Sequence, residues 1–224
     1  LVFLAFLFWA FFKILTPDNF GSWEGMYYYL QSSIIYSVGA CGFYFIVTMG
    51  LFDFSIGANV VLSSIVGVIL SKQFGYAGLV TGCIVTGVII GFLNGSLYVK
   101  LKIPSMIVTV GLMLIYESLA YFVARGEKQS LDSSLRGLGV APGNIILAVI
   151  MFILAHLILR YTKIGTYAHA IGSNESMAKN MGVNVNKYKV IGFMLLHFFV
   201  GVMAVLAVSY GTSMTAVTEM TSMA

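Results

Sequence analysis

The sequence predicts an all-α fold: a polytopic bundle of transmembrane helices with one short helix in the cytoplasm. Hydrophobic residues make up 59% of the 224 positions and charged residues only 9%, whereas about 25% of a soluble domain is charged. Apolar runs of about 20 residues, the length that crosses a bilayer as a helix, recur along the chain. Proline stands at the borders of three such runs, at Pro17, Pro104 and Pro142, where it begins or ends a helix.

Seven apolar segments are predicted to span the membrane, each bounded to within a few residues. They are residues 1–15, 27–50, 54–71, 77–99, 104–124, 143–161 and 190–210. The first segment is short for a span, and the chain begins inside it at Leu1 and stops at Ala224. We therefore expect residues 1–224 to form a single membrane domain that is truncated at both ends.

Basic residues predict which loops face the cytoplasm, because Lys and Arg concentrate there in membrane proteins. Seven of the twelve basic residues lie in two loops close to membrane ends: Lys100, Lys102, Arg160, Lys163, Lys179, Lys187 and Lys189. The remaining five lie toward the opposite side. This distribution places residues 162–189 in the cytoplasm, and the net charge of +4 therefore does not indicate a nucleic-acid partner.

Glycines recur mostly four residues apart along the fourth predicted span, at positions 78, 82, 87, 91 and 95. Small residues at this spacing let helix backbones approach closely, which is how helices associate within a membrane. The pattern favours tight helix packing over a glycine-lined pore.

Ionisable groups within the spans are candidates for function, because a charge at mid-bilayer costs about 2.5–3.5 kcal/mol. Asp53, Glu117, His156 and His197 are such groups, and their spacing matches no catalytic or metal-binding motif. We expect the two histidines to pack between helices. Asp53 comes just before an apolar helix, and its carboxylate is predicted to cap that helix; a place on a translocation path is the alternative.

The predicted cytoplasmic segment 162–189 contains a second short helix signal. Ser173 or Asn174 can cap a helix, Glu175 suits its first turn, and Gly182 suits the position just past its end. Residues 174–181 are therefore predicted to form a helix. Its apolar residues at helical spacing, Met177, Ala178 and Met181, are expected to contact either a protein partner or the chain's own spans.

Three motifs resemble the permeases of sugar-type ATP-binding cassette importers, the ribose and galactose transporter family. Residues 50–57, GLFDFSIG, resemble that family's GGIDLSVG signature, and residues 94–111, NGSLYVKLKIPSMIVTVG, resemble its NGLLVAKLKIPPFIVTLG region. Residues 163–185, KIGTYAHAIGSNESMAKNMGVNV, resemble its cytoplasmic segment. The three motifs agree in order and spacing, and the terminal EMTSMA also resembles a family sequence.

The resemblance implies a multi-pass permease of the bacterial cytoplasmic membrane that moves a monosaccharide or related small polar solute. Its partners would be membrane lipid, a second permease subunit, an extracytoplasmic substrate-binding protein and a cytoplasmic ATPase. The helix at 174–181 would be the coupling helix that docks on the ATPase. Residues matching that segment are Ala170, Gly172, Asn174, Glu175, Met177, Ala178, Met181 and Gly182.

The candidates for lining the solute path are five polar residues of the third to fifth spans and the segment before them. They are Asp53, Ser55, Asn59, Asn94 and Thr109; the asparagines and the threonine are equally suited to joining helices. The sequence has no GxxxxGK[ST] phosphate loop. The chain is therefore expected to be no enzyme on its own and to bind no cofactor, with ATP and Mg²⁺ held by the ATPase subunit.

Other functions remain as alternatives. Related importer permeases carry branched-chain amino acids or nucleosides. A secondary transporter without an ATPase would need ion-coupling carboxylates in mid-membrane, of which the sequence offers few. A membrane-embedded enzyme would need a constellation of ionisable residues that the sequence lacks.

Overall fold

Helices account for nearly all of the residues that the structure, a computed structural model, describes: 2–16, 22–211 and 213–214. The α-helices are α1 (Val2–Leu15), α2 (Trp23–Val47), α3 (Ile56–Leu101), α4 (Ser105–Ala124), α5 (Gly143–Tyr161), α6 (Lys163–Ser173), α7 (Glu175–Asn180) and α8 (Val185–Gly211). A 3₁₀ helix covers Ser133–Leu138, and β1 (Gln129–Ser130) pairs antiparallel with β2 (Ser213–Met214). Pro17 and the terminal EMTSMA lie outside the described residues.

Five helices in the described part of the chain are long and apolar enough to cross a bilayer. They are α2 from Glu24 onward, α3, α4, α5 and α8, and a shorter apolar helix covers Phe6–Leu15. Large hydrophobic side chains on these helices are exposed on the outside of the bundle, as expected where lipid replaces water. The predicted fold class, a polytopic bundle of transmembrane helices, is confirmed.

Helix α3 is a hairpin of two helical arms. Its 46 residues would measure about 69 Å as one straight helix, more than twice the roughly 30 Å hydrocarbon core of a bilayer. Gly75 breaks the helical backbone with φ 57° and ψ −138°, a left-handed conformation that suits glycine. Gly78 lies against Leu70, and Gly82 against Gly67, so the second arm (76–101) runs back along the first arm (56–74).

The second arm of α3 packs against α8 through three of the glycines that the sequence singled out, Gly87, Gly91 and Gly95. A Cβ atom at Gly91 would lie 2.6 Å from the Phe193 carbonyl oxygen, and one at Gly95 would lie 2.8 Å from the Val190 Cα. A side chain at either position would therefore collide with the backbone of α8. The predicted role of these glycines in close helix packing is confirmed.

The two ends of the bundle are built differently. At one end the turn at Gly75 lies beneath the loop that follows α4: Lys72 Nζ donates to Gln129 Oε1 (3.1 Å), and the Tyr76 hydroxyl donates to the Ser134 carbonyl (3.0 Å). At the other end, Lys189 near the start of α8 contacts Glu175 of α7 and Tyr98 near the end of α3. The fold therefore separates the cluster of short helices from the Gly75 turn by the length of the bundle.

Candidate functional site

The segment between α2 and α3 is held by hydroxyl groups of α4. The Phe52 N–H donates to Ser105 Oγ (3.0 Å), and the Phe54 N–H donates to Thr109 Oγ1 (3.1 Å). These bonds satisfy backbone donors that have no helical partner in a non-helical segment. They fix residue 53 between two anchored neighbours, pointing into the bundle.

Asp53 is buried, with only 2% of its surface exposed, and its first carboxylate oxygen organises the start of α3. Oδ1 accepts from both the N–H and the Oγ of Ser55, each at 2.7 Å. Ser55 is the N-cap residue, and its own side chain makes no cap bond. The carboxylate therefore binds a free N–H at the helix start, as predicted, although it does so one residue before the first helical position.

The second oxygen of Asp53 reaches across the bundle. Oδ2 accepts from Asn94 Nδ2 (2.9 Å) on the second arm of α3 and lies 2.9 Å from His197 Nε2 on α8. Neither side chain of the Asp53–His197 pair is exposed. A carboxylate buried in this way is stable only when its oxygens are hydrogen-bonded, and here all of its close partners are donors.

The groups around His197 determine which of its two ring nitrogens donates a hydrogen bond. Asn59 Nδ2 contacts His197 Nδ1, and Asn59 Oδ1 accepts from Ser63 Oγ at 2.7 Å. With the amide in this orientation, Nδ1 accepts from Asn59, and Nε2 is left to donate to Asp53 Oδ2.

A tyrosine of α4 completes the network. The Tyr116 hydroxyl donates to Asn94 Oδ1 (2.7 Å), while Asn94 Nδ2 also donates to Ser55 Oγ (2.7 Å). We call the connected set the polar cluster: Asp53, Ser55, Asn59, Ser63, Asn94, Tyr116 and His197. It joins both arms of α3 to α4, to α8 and to the segment before α3.

The structure brings four of the five predicted path residues into this cluster. Asp53, Ser55, Asn59 and Asn94 belong to it, and Thr109 binds the neighbouring backbone at Phe54. Ser55, Asn59, Asn94 and Thr109 have no exposed surface at all. In this conformation Asn59, Asn94 and Thr109 bind groups on other helices or on the segment before α3, which is the helix-joining arrangement.

Two members of the cluster have roles that the sequence did not indicate. His197 was expected only to pack between helices, and Tyr116 was not singled out. Asn59 and Ser63 lie four residues apart on one face of α3, and that spacing was the signal available for a polar face. Within the described ranges, no three His, Cys, Asp or Glu side chains lie together as a metal site requires.

Helix α7, near the start of α8, begins and ends where the sequence predicted. Asn174, rather than Ser173, caps α7, because its Oδ1 accepts from the Met177 N–H at 2.9 Å. Gly182 adopts a positive φ of 84° just past the helix, and its N–H donates to the Lys179 carbonyl at 3.0 Å. The preceding helix α6, capped by Thr162, was not predicted.

The faces of α7 differ from the prediction. Met177 and Met181 are 61% and 77% exposed, whereas Ala178 is 2% exposed and packs in the core of the bundle. Residues four apart share a helix face, while adjacent residues are turned about 100° from each other. The outward apolar face is therefore made of the two methionines, and Ala178 faces the chain's own helices.

The two small residues before α7 also face the bundle. A Cβ atom at Gly172 would overlap the Thr48 carbonyl oxygen, and Ala170 packs against the same core as Ala178. Gly172 thus lets the end of α6 touch the segment that leads to Asp53. Glu175 is different, because its carboxylate Oε2 lies 2.8 Å from Lys189 Nζ and ties α7 to α8.

One known protein family matches most of this chain. A protein-family model described as "Branched-chain amino acid transport system / permease component" matches residues 25–224. The chain belongs to this family. No solved structure matches the chain at a significant level.

Several import permeases are similar to the chain. The ribose import permease protein of Escherichia coli (strain K12) is 26% identical over 197 residues, which cover 81% of this chain and 60% of that protein. The L-arabinose transport system permease protein of the same strain is 31% identical over 188 residues, or 78% and 55%. The fructose import permease protein of Rhizobium meliloti is 28% identical over 195 residues, or 80% and 54%.

These similarities confirm the predicted resemblance to sugar-type importer permeases. The chain spans only 54–60% of the length of the three relatives. Within that span the family model includes both the polar cluster and the α6–α7 region, since it covers residues 25–224. The roles predicted for individual residues of these two sites remain predictions.

Proposed function

We propose that the chain forms most of the membrane part of a permease subunit in an ATP-binding cassette importer of the bacterial cytoplasmic membrane. The observation that carries this proposal is the similarity to permeases named for ribose, arabinose and fructose. The solute is a monosaccharide or a related small polar molecule, delivered by an extracytoplasmic binding protein. A second permease subunit, identical or paralogous, completes the path.

The coupling of transport to ATP is assigned to α7. Its exposed methionine pair, Met177 and Met181, presents flexible apolar side chains away from the bundle, and such side chains suit a protein groove. The sequence has no phosphate loop of the GxxxxGK[ST] type. ATP and Mg²⁺ are therefore assigned to the partner ATPase, and the chain itself to solute passage.

Two alternatives are less well supported. The family's printed description names branched-chain amino acids, but the similar curated proteins are named for sugars. A secondary transporter would need a carboxylate free to bind and release an ion in mid-membrane. Both oxygens of Asp53 already accept hydrogen bonds from neighbouring side chains. This favours an ATP-driven transporter over an ion-coupled one.

Transport by the reconstituted complex tests the proposal. The full-length permease, its ATPase and its binding protein are placed in lipid vesicles with ATP, and uptake of labelled ribose, arabinose, xylose, fructose and galactose is compared with uptake of leucine and a nucleoside. We expect ATP-dependent uptake of at least one sugar. Uptake of leucine alone, or uptake that persists without ATP, would exclude the proposed function.

The first prediction concerns ATP hydrolysis. The purified full-length permease is expected to hydrolyse no ATP above the detergent blank, because it lacks a phosphate-binding loop. Adding the ATPase subunit is expected to give hydrolysis that the loaded binding protein stimulates. Release of inorganic phosphate is the measurement, and a Walker-lysine variant of the ATPase is the control. Hydrolysis that survives in that control would assign ATPase activity to the permease.

The second prediction concerns docking through α7. The double substitution Met177→Glu and Met181→Glu is expected to abolish co-purification with the ATPase, because it places two charges in an apolar contact. Both side chains are exposed, so the thermal stability of the permease alone is expected to change little. Lys187→Glu, on the exposed start of α8, is the control. Normal co-purification of the double variant would rule out this face as the docking surface.

A further inference from the structure

Lys189 is the most buried basic residue in the described part of the chain, and its surroundings are unusual for a lysine. It is only 7% exposed, although lysine is almost never buried without a partner. Its Nζ donates to Glu175 Oε2 (2.8 Å) and to the Tyr98 hydroxyl (3.3 Å), and it lies 5.4 Å from the centre of the Tyr98 ring. The ammonium group of Lys189 therefore links α8, on which it lies, to α7 and to the end of α3.

Helix α7 depends on such contacts for its position. It has only six residues, and a helix of that length is not stable alone. Besides the Asn174 cap, its links to the bundle are Ala178 in the core and the Glu175–Lys189 ion pair. The ion pair is the polar link, and it joins α7 to a helix that runs through the centre of the bundle.

The face of α8 that carries Lys189 continues to the polar cluster. Lys189, Phe193 and His197 are spaced four residues apart, so they lie along one side of the helix, and eight residues rise about 12 Å. The Phe193 ring packs on the Tyr98 ring with centroids 5.8 Å apart. His197 then meets Asp53 at 2.9 Å.

The packing along this face allows little independent sliding. Close contacts of Gly91 and Gly95 with the α8 backbone leave no space between α8 and the second arm of α3. Tightly packed helices move together as bodies rather than deforming gradually. Because Lys189 links Glu175 to this helix pair, a displacement of α7 would reach the helices that hold Asn94 and His197.

We propose that Lys189 is the positioning residue that couples α7 to the transmembrane helices, by holding Glu175 and Tyr98 together at the start of the α3–α8 pair. This proposal rests on the proposed function, because the motion it transmits is the one the ATPase would impose on α7. Gly172 makes a second contact from α6 to Thr48, on the segment that leads to Asp53. The short helices thus contact the segment that leads to Asp53 and, through Lys189, the helix that carries His197.

The test compares coupling with assembly in the full importer complex. Lys189→Met removes the charge and keeps the length of the side chain, Lys189→Arg keeps the charge, and Glu175→Gln removes the charge from the partner, whose side chain is 56% exposed. Lys187→Met removes a lysine two residues away that is exposed and forms no ion pair in the described residues. The readouts are co-purification, basal ATPase activity, ATPase activity stimulated by loaded binding protein, and uptake into vesicles.

We expect Lys189→Met to assemble and to retain basal hydrolysis, while the ratio of stimulated to basal hydrolysis and the uptake both fall about tenfold, a coupling loss typical between distant sites. The same ratio is expected to fall in Glu175→Gln. Lys189→Arg is expected to retain most of the coupling, and Lys187→Met all of it. Wild-type coupling in Glu175→Gln would overturn the proposal. Loss of assembly and basal hydrolysis together with uptake in Lys189→Met would overturn it as well. Failure of the wild-type complex to take up any sugar would instead refute the proposed function.

Discussion

Asp53→Leu is expected to destabilise the protein more than any conservative change in the polar cluster, by about 3–5 kcal/mol. Leucine removes the acceptor of the Ser55 N–H, of Asn94 Nδ2 and of His197 Nε2, and it leaves those donors buried. Each buried donor without a partner costs about 1–3 kcal/mol. Since whole domains are stable by only about 5–15 kcal/mol, the yield of folded permease should fall sharply.

Asp53→Asn is expected to be less harmful than Asp53→Leu but still clearly destabilising. The amide oxygen can accept from Ser55, whereas the amide nitrogen must then face two donors, Asn94 Nδ2 and His197 Nε2–H. A matched control exists on the surface, because Asp132 Oδ1 accepts from the Ser134 N–H and hydroxyl in the same two-residue turn. Asp132 is exposed and has no such buried partners.

The measurement is the thermal unfolding midpoint of the full-length permease in detergent, followed by tryptophan fluorescence. We expect the midpoint to fall in the order Asp132→Asn, Asp53→Asn, Asp53→Leu, with the first close to wild type. The difference between the two asparagine variants isolates the contribution of the buried partners from that of the local turn. Equal midpoints for those two variants would show that Asp53 acts only through the turn.

Gly91→Leu is expected to prevent α3 from packing on α8. A Cβ atom at this position would lie 2.6 Å from the Phe193 carbonyl oxygen and 2.8 Å from the Met194 Cα, and a backbone cannot move aside as a flexible side chain can. Even Gly91→Ala is expected to cost about 1–3 kcal/mol, as overpacking does in other cores. With leucine, the two helices must separate.

Gly111→Leu is the matched control, because Gly111 lies within α4 and nothing is found within 4 Å of the position of its Cβ. Replacing glycine inside a helix otherwise favours the helix by up to about 1 kcal/mol. The yield of monodisperse protein and its unfolding midpoint are expected to collapse for Gly91→Leu and to hold for Gly111→Leu. Equal behaviour of both variants would mean that the α3–α8 contact is not a closely packed interface.

Patterns with a fixed spacing predicted the helices and their close packing well. The glycines four residues apart on the second arm of α3 predicted close helix packing, and Asn174 and Gly182 predicted the limits of α7. These features are local, since each depends on residues within a few positions of one another. Features that depend on neighbouring residues can therefore be predicted from a single sequence.

Long-range pairs were not predictable in the same way. His197 carries no local sign that its ring meets Asp53, because 144 residues separate the two. Ala178 was grouped with Met177 and Met181 by helical spacing, and only the position of α7 on the bundle shows that it faces inward. Lys189 looked like one of several cytoplasmic lysines until Tyr98 and Glu175 were found around it.

The separation of Asp53 from His197 also matters while the protein is being made. The α3 hairpin closes over a short stretch of chain around Gly75, so it can form early during synthesis, whereas contacts between distant residues form late. Asn94 is the first distant side chain that can donate to the Asp53 carboxylate, and Tyr116 follows by donating to Asn94. His197 follows 144 residues after Asp53, so we expect the polar cluster to be complete only after α8 has been inserted.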